Sequence, residues 1–150
     1  MKMTGCTAGV AALLLAANAA GAAEFEVKML NKGTAGLMVF EPALMQIQLG
    51  DSVRFVPVDK GHDARSIKGM LPEGATPFVG KMSQEITVVF DKPGVYGIQC
   101  APHYGLGMVA LIVAGEAANL AEAQTVKQPG KAKQRFAALF DQLNKALASE

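Results

Sequence analysis

The 150-residue chain contains no tryptophan, two tyrosines, two cysteines and two histidines. Two cysteines cannot frame a disulfide-stapled miniature, and the length fits one domain. Charge of either sign is also lacking in excess: 14 Lys and Arg face 13 Asp and Glu, a net +1. That balance offers no broad basic face, so no nucleic-acid partner is expected and only local patches could steer others. Internal repeats and low-complexity segments are absent beyond the N-terminus. No stretch approaches the ~20 apolar residues that a spanning helix requires, so no membrane partner is expected.

The N-terminus reads as a leader. Lys2 is followed by the short apolar run Val10–Ala17, and residues 17–23 (ANAAGAA) supply the small residues that a signal peptidase accepts. Cleavage is expected near Ala22 or Ala23, with residues 1–23 as the signal peptide. Cys6 precedes the apolar run, so it is no lipid anchor and departs with the leader. A cut after Ala23 leaves roughly 127 residues and, with Lys2 gone, 13 basic against 13 acidic groups. One thiol then remains, Cys100, in an oxidising compartment where an unpaired cysteine needs burial or a metal.

The remaining chain is patterned for strands. Phe25, Val27 and Met29 alternate with Glu26 and Lys28, and Asn31-Lys32-Gly33 with Gly36 reads as a turn. Leu37–Phe40, then Met45, Ile47 and Leu49, then Val53, Phe55 and Pro57 continue the period of two. Residues 66–81 carry Gly69, Pro72, Gly74, Pro77 and Gly80 and read as loop. Ile86–Phe90 and Val95–Cys100 follow as strands around a Pro93-Gly94 turn, with Tyr96, Ile98 and Cys100 on one face. Short strands at regular spacing predict a sandwich or barrel. Met108–Ala114 is apolar on both faces, so one layer more must cover it. The last 35 residues are the candidate: Asn119-x2-Glu122 resembles a capping box, Pro129-Gly130 interrupts, and Phe136, Leu139, Phe140, Leu143 and Leu147 form one helical stripe. The expected organisation is a mainly β domain over residues 24–115 with a two-helix extension over 116–150.

The chemistry concentrates in Gly94–Met108, which contains Cys100-x2-His103-x4-Met108. Thiolate, imidazole and thioether on one loop lack one imidazole to make a His2Cys set with a weak axial Met, the donor set of electron-transfer copper. The other histidine, His62, stands 38 positions upstream in a Gly-flanked loop. His62, Cys100 and His103 are therefore candidate equatorial ligands and Met108 the axial one. Each also has a bland reading: His62 as a surface or satisfied core group, Cys100 as a buried thiol, and Met108 as core. Zinc would want a fourth strong ligand in place of the thioether. A Cys-His nucleophile with Asp63 as orienter lacks a Gly-rich oxyanion loop. Copper trafficking is the alternative of a different class, yet no HxH or MxxM cluster occurs, and two histidines cannot build a multicopper oxidase centre. No enzymatic activity is expected.

KMLNKG (Lys28–Gly33), MVFEPA (Met38–Ala43), PVDKGH (Pro57–His62), GVYGIQCAPHYGLGMVAL (Gly94–Leu111) and the helical tail together resemble the pseudoazurins, bacterial periplasmic cupredoxins. The resemblance covers essentially all of residues 24–150. It implies a Greek-key cupredoxin β-sandwich of about eight strands, one type 1 copper and a monomer. It also implies delivery of single electrons to copper nitrite reductase in denitrification, with c-type cytochromes as further partners. The loop histidine, here His103, would be the electron port. Met38, Pro102 and Leu106 would form an apolar collar, and Lys32, Lys60, Lys68 and Lys131 a steering ring. Two departures stand out. Asp63 occupies a position where the family usually has Asn tying the two ligand loops, which implies a potential below that of an Asp63→Asn variant. Gln99 stands where several relatives carry Lys.

Overall fold

The computed structural model describes residues 21–150; most of the expected leader lies outside the described residues. Eight strands form two four-stranded sheets. They are β1 (Glu24–Gly33), β2 (Gly36–Glu41), β3 (Leu44–Ile47), β4 (Ser52–Pro57), β5 (Arg65–Ser66), β6 (Ile86–Val89), β7 (Gly94–Gln99) and β8 (Val109–Ala114). One sheet has the order β2-β1-β4-β6 and the other β3-β8-β7-β5. Within them β1 runs parallel to β4 and β3 parallel to β8, while the remaining pairs are antiparallel. Two helices follow, α1 (Leu120–Thr125) and α2 (Ala132–Ala148).

The period-two pattern sorts into an inter-sheet core as expected. Val27 and Met29 of β1, Phe40 of β2 and Val53 and Phe55 of β4 meet Ile98, Ala110 and Ile112 from the opposite sheet. Phe25 and Leu49, the outer members of two alternating runs, remain 37 % and 51 % exposed. For Leu49 the reason is local. The Asp51 carboxylate accepts the Gln48 N–H at 2.8 Å and draws the chain into its turn, so β3 ends at Ile47.

All six residues of β8 are buried. Ala110, Ile112 and Ala114 face the other sheet, while Val109, Leu111 and Val113 pack with Phe136, Leu139 and Leu143 of α2. The helical stripe thus supplies the layer that the doubly apolar strand requires. Truncating Phe136 would cost about 3–5 kcal/mol by the usual cavity cost of an aromatic core residue.

Two local expectations are corrected. Asn31-Lys32-Gly33 is no turn: β1 continues to Gly33, pairing Lys32 with Leu37 and Gly33 with Gly36, and the chain reverses at Thr34–Ala35. Gly33 is closely packed: a Cβ there would lie 2.6 Å from both Val39 Cγ2 and Glu41 Oε2, so those side chains would have to shift. Asn119 does precede α1, but its side chain makes no capping bond. Its Oδ1 instead accepts the Val95 N–H at 2.6 Å and its Nδ2 donates to the Val95 carbonyl at 2.9 Å. The amide side chain pairs with β7 as a further strand residue would.

Candidate metal centre

Three segments meet at one end of the sandwich: the loop after β4, the C-terminal end of β7 and the turn into β8. Cys100 follows β7 and is fully buried. The chain then winds into one 3-10 helix over Ala101–Leu106, with Pro102 in its first turn. Gly107 closes that helix at φ 91°, a left-handed conformation that a side chain resists. The Cys100 N–H donates to the Met108 carbonyl, and the Met108 N–H to the His103 carbonyl, each at 3.1 Å. This backbone mesh fixes cysteine, histidine and methionine relative to one another.

His62 arrives from the other loop. Its Nδ1 lies 3.1 Å from His103 Nδ1 and 3.7 Å from Cys100 Sγ, and His103 Nδ1 lies 3.5 Å from that sulfur. All three ligand atoms fall within 4.8 Å of one another. Met108, fully buried, belongs to the same core cluster as Cys100. All four residues predicted as ligands are therefore brought to this end of the fold, His62 buried and His103 half-buried.

The spacing suits an ion. Nitrogen and sulfur ligands sit about 2.0–2.1 and 2.3 Å from a first-row d10 metal. At trigonal angles such bonds separate sulfur from nitrogen by about 3.7 Å and the nitrogens by about 3.5 Å. The two sulfur–nitrogen separations, 3.7 and 3.5 Å, are close to those values, and the nitrogens stand somewhat nearer at 3.1 Å. The donors' proton affinities fit as well. Burial, assisted by neighbouring His103, pushes the His62 imidazole below its ordinary value of 6.5 and keeps a lone pair free. Burial also pushes the Cys100 thiol above 9.0, although peptide N–H groups of Asp63 and His103 oppose it. A thiol so placed ionises only when a cation replaces its proton.

Sequence reasoning missed two supporting residues. Asn31 was assigned to a turn, yet its Oδ1 lies 2.9 Å from His62 Nε2. With Nδ1 aimed at the cluster, Nε2 carries the proton and donates to Asn31, which fixes tautomer and ring orientation. The Asn31 N–H is itself held by Asp59 Oδ2 at 2.7 Å. Arg65 is the second. Its guanidinium pairs with Asp63 Oδ2, whose other oxygen accepts the Ala101 N–H at 2.7 Å. Asp63 therefore ties the two ligand loops through an acceptor, with its charge compensated. The i, i+2 spacing that puts both side chains on one face of extended chain was the available signal.

The family model for copper binding proteins, the plastocyanin/azurin family, matches residues 27–115. A pseudoazurin of Paracoccus pantotrophus is 48 % identical over 139 residues, covering 91 % of this chain and 96 % of its own. The chain belongs to the pseudoazurin family. A pseudoazurin of Methylorubrum extorquens is 50 % identical over 125 residues, covering 83 % of this chain and 84 % of its own. Among solved structures, a Sinorhizobium pseudoazurin superposes with a TM-score of 0.79 at 49 % identity, over 81 % of this chain and 96 % of the other. The fold is accordingly the cupredoxin sandwich, and this pseudoazurin is a copper protein of electron transfer.

Two of the three residues expected to form the collar, Met38 and Leu106, share one cleft. Leu37, Met38 and Leu106 line one cleft of about 300 Å³ with Lys131 and Arg135. Leu37 and Leu106 are 66 % and 51 % exposed. Lys32, Lys60, Lys68 and Lys131 are all exposed. Leu37, opposite Lys32 in the strand register, is an exposed apolar residue of this cleft that sequence reasoning left out.

Proposed function

We propose that His62, Cys100 and His103 hold one copper equatorially with Met108 as weak axial ligand, and that the chain shuttles single electrons through His103. The observation that carries this reading is the convergence of Cys100 Sγ and both Nδ1 atoms, with His103 alone of the three reaching solvent. Copper held there supplies a one-electron Cu(I)/Cu(II) couple, and His2Cys with a long axial thioether suits both states. The chain's own part is rigidity. Asn31 orients His62, Asp63 fastens the loop at Ala101, and the 3-10 helix holds His103 against Cys100, so the donors need not move when an electron passes.

The donor set lies near the surface behind an apolar collar, which excludes water at a docked interface. Exposed lysines around it attract an acidic partner and raise the rate of encounter. We assign copper nitrite reductase as the electron acceptor, with c-type cytochromes or other periplasmic redox enzymes as further partners, on the strength of the family resemblance. We further assign residues 1–23 as an export leader and the periplasm as the working compartment, which suits a single buried thiol committed to a metal. Among the described residues no helix is long and apolar enough to cross a membrane.

The decisive experiment is the visible and EPR spectrum after adding one equivalent of Cu(II). An intense thiolate-to-copper band that bleaches reversibly on reduction and is lost in Cys100→Ser is expected. A colourless protein, or ordinary tetragonal Cu(II) signals, refutes the site. Stopped-flow oxidation of the reduced chain by copper nitrite reductase then tests the partner: the rate should fall several-fold between about 10 and 150 mM salt, as the Debye length shrinks from about 30 to 8 Å.

A further inference from the structure

At the pole opposite the metal centre, Asp51 is a charged group that the electron-transfer function leaves unused. It is 3 % exposed, and no Lys, Arg or His pairs with it among the described residues. Its two carboxylate oxygens accept peptide N–H groups, Oδ1 from Ala23 at 2.7 Å and Oδ2 from Gln48 at 2.8 Å. A carboxylate buried against neutral donors alone is costly, whereas a cation at one of those donors offsets the cost. The donor nitrogen of Ala23 is also the atom that proteolysis at one bond would convert into an ammonium.

We infer that the leader is cut between Ala22 and Ala23, so that the new α-ammonium of Ala23 becomes the ion-pair partner of Asp51. This rests on the export reading above and moves its boundary by one residue. Cleavage after Ala23 would delete both the nitrogen that meets Asp51 and the carbonyl that accepts the Ser52 N–H at 2.9 Å. Cleavage farther upstream would leave an uncharged amide at the carboxylate. Ala20 and Ala22 provide the small residues at the third and first positions before the cut. Hydrolysis of the Ala22–Ala23 amide by water yields the Ala22 carboxylate and the Ala23 amine, which is protonated at neutral pH.

The surroundings favour that cation. Asp51 lines a cleft with Glu116 and Glu150, and no basic residue lines it. Glu24 follows on β1 with its carboxylate held by Arg54 at 3.3 Å, and the Asp51 turn is fastened beside β6 by the Phe90 N–H, which donates to the Asp51 carbonyl at 2.9 Å. Processing therefore adds a clamp on the first strand that the unprocessed chain lacks. An ammonium held by the Asp51 carboxylate titrates above its ordinary range of about 7.7–8.0. A folded value raised in this way stabilises fully below that range, and the gain is lost as pH rises through the raised value.

The test has two arms. The full chain is expressed with export, and the intact mass of the product is measured. A product beginning at Ala23 is expected; a product beginning elsewhere overturns the inference while leaving export standing, and an unprocessed chain overturns both. In the second arm, chains beginning at Ala23 and at Gly21, each with and without Asp51→Asn, are unfolded in urea at pH 7. The Ala23 start should fold with a constant about tenfold larger, the equivalent of one pKa unit. That advantage should vanish in Asp51→Asn and fade above about pH 9, with the copper spectrum unchanged. Equal stability of the two starts, or an advantage that survives Asp51→Asn, overturns the ion pair.

Discussion

At the scale of single residues, the groups that touch no metal decide how well the donors are held. Asn31 is the acceptor for His62 Nε2, so Asn31→Ala frees the imidazole to rotate or change tautomer. Copper affinity should fall about 10–100-fold, the usual effect of removing such a support, read by competition with a chelator. Asp63 and Arg65 act as a pair. Asp63 is 1 % exposed and Arg65 about a third exposed, so Arg65→Ala strands a negative charge near the site, whereas Asp63→Asn leaves the guanidinium positive. Negative charge favours the more oxidised ion. Reduction potentials should therefore rise in the order Arg65→Ala, unaltered chain, Asp63→Asn, and voltammetry giving the reverse order would show that the pair does not act through charge. Arg65→Ala should also cost about 1–2 kcal/mol in stability, less than the 3–5 kcal/mol of a fully buried pair because Arg65 reaches solvent.

The four proposed donors could be singled out from sequence because three share one loop, and the structure brings the ligand atoms of His62, Cys100 and His103 within 4.8 Å of one another. Asn31 could not be singled out. Its role depends on β1 running through an apparent turn to Gly33, and Asn-Lys-Gly is turn chemistry by local rules. Pairing with β2, Lys32 opposite Leu37 and Gly33 opposite Gly36, overrode that local preference. The position of Asp63 was noticed, but as a lost amide donor. Only the fold shows that the bond across the loops is accepted by the carboxylate, not donated by it.

At the scale of elements, the helical extension is more than a cover for β8. The segment joining α1 to α2 grips the ligand loop: the Lys131 N–H donates to the Gly105 carbonyl at 2.9 Å, and Tyr104 Oη donates to Gln128 Oε1. Gly130 has φ 49°, and a Cβ there would lie 2.4 Å from Gly105 O. Gly130→Ala should thus destabilise by about 1–3 kcal/mol and shift the copper spectrum, because the loop it displaces carries His103. Gly115→Ala is the control. Its φ is similar at 59°, but its nearest neighbour stands 3.6 Å away, so it should cost stability without changing the spectrum. Asn119 gives a second test of element docking. A capping role would be rescued by Asn119→Ser, but pairing with both Val95 groups needs a donor and an acceptor at amide reach. Asn119→Ser and Asn119→Ala should therefore lose the same 1–3 kcal/mol or so by urea unfolding. The stripe on α2 was legible from its period. The contacts of the linker were not, because no periodicity encodes which loop a Pro-Gly turn will touch.

For the whole molecule, the metal-free chain should be most stable in a window bounded by two buried groups of the site. His62 is held below 6.5 in the folded state, so below that pH the unfolded chain takes up a proton that the folded one refuses, and stability falls as pH falls. Cys100 is held above 9.0, and Tyr96 and Tyr104 above 10.0, all mainly by burial. Above those values the unfolded chain ionises first and stability falls as pH rises. Thermal melts of the metal-free chain should therefore trace a plateau between about pH 6.5 and 9. Copper reverses the logic at Cys100 and deepens it at His62, since a bound thiolate and a bound neutral imidazole have already lost their protons. The loaded chain should keep its stability past pH 9 until the tyrosines titrate, and should lose it more steeply than the metal-free chain as pH falls, because the unfolded chain takes up protons that the bound donors refuse. Cys100→Ser separates the contributions, for it removes the thiol limb of the metal-free profile and leaves the acidic limb in place. Coincident profiles for loaded and metal-free protein would mean that the buried donors are not what the metal engages.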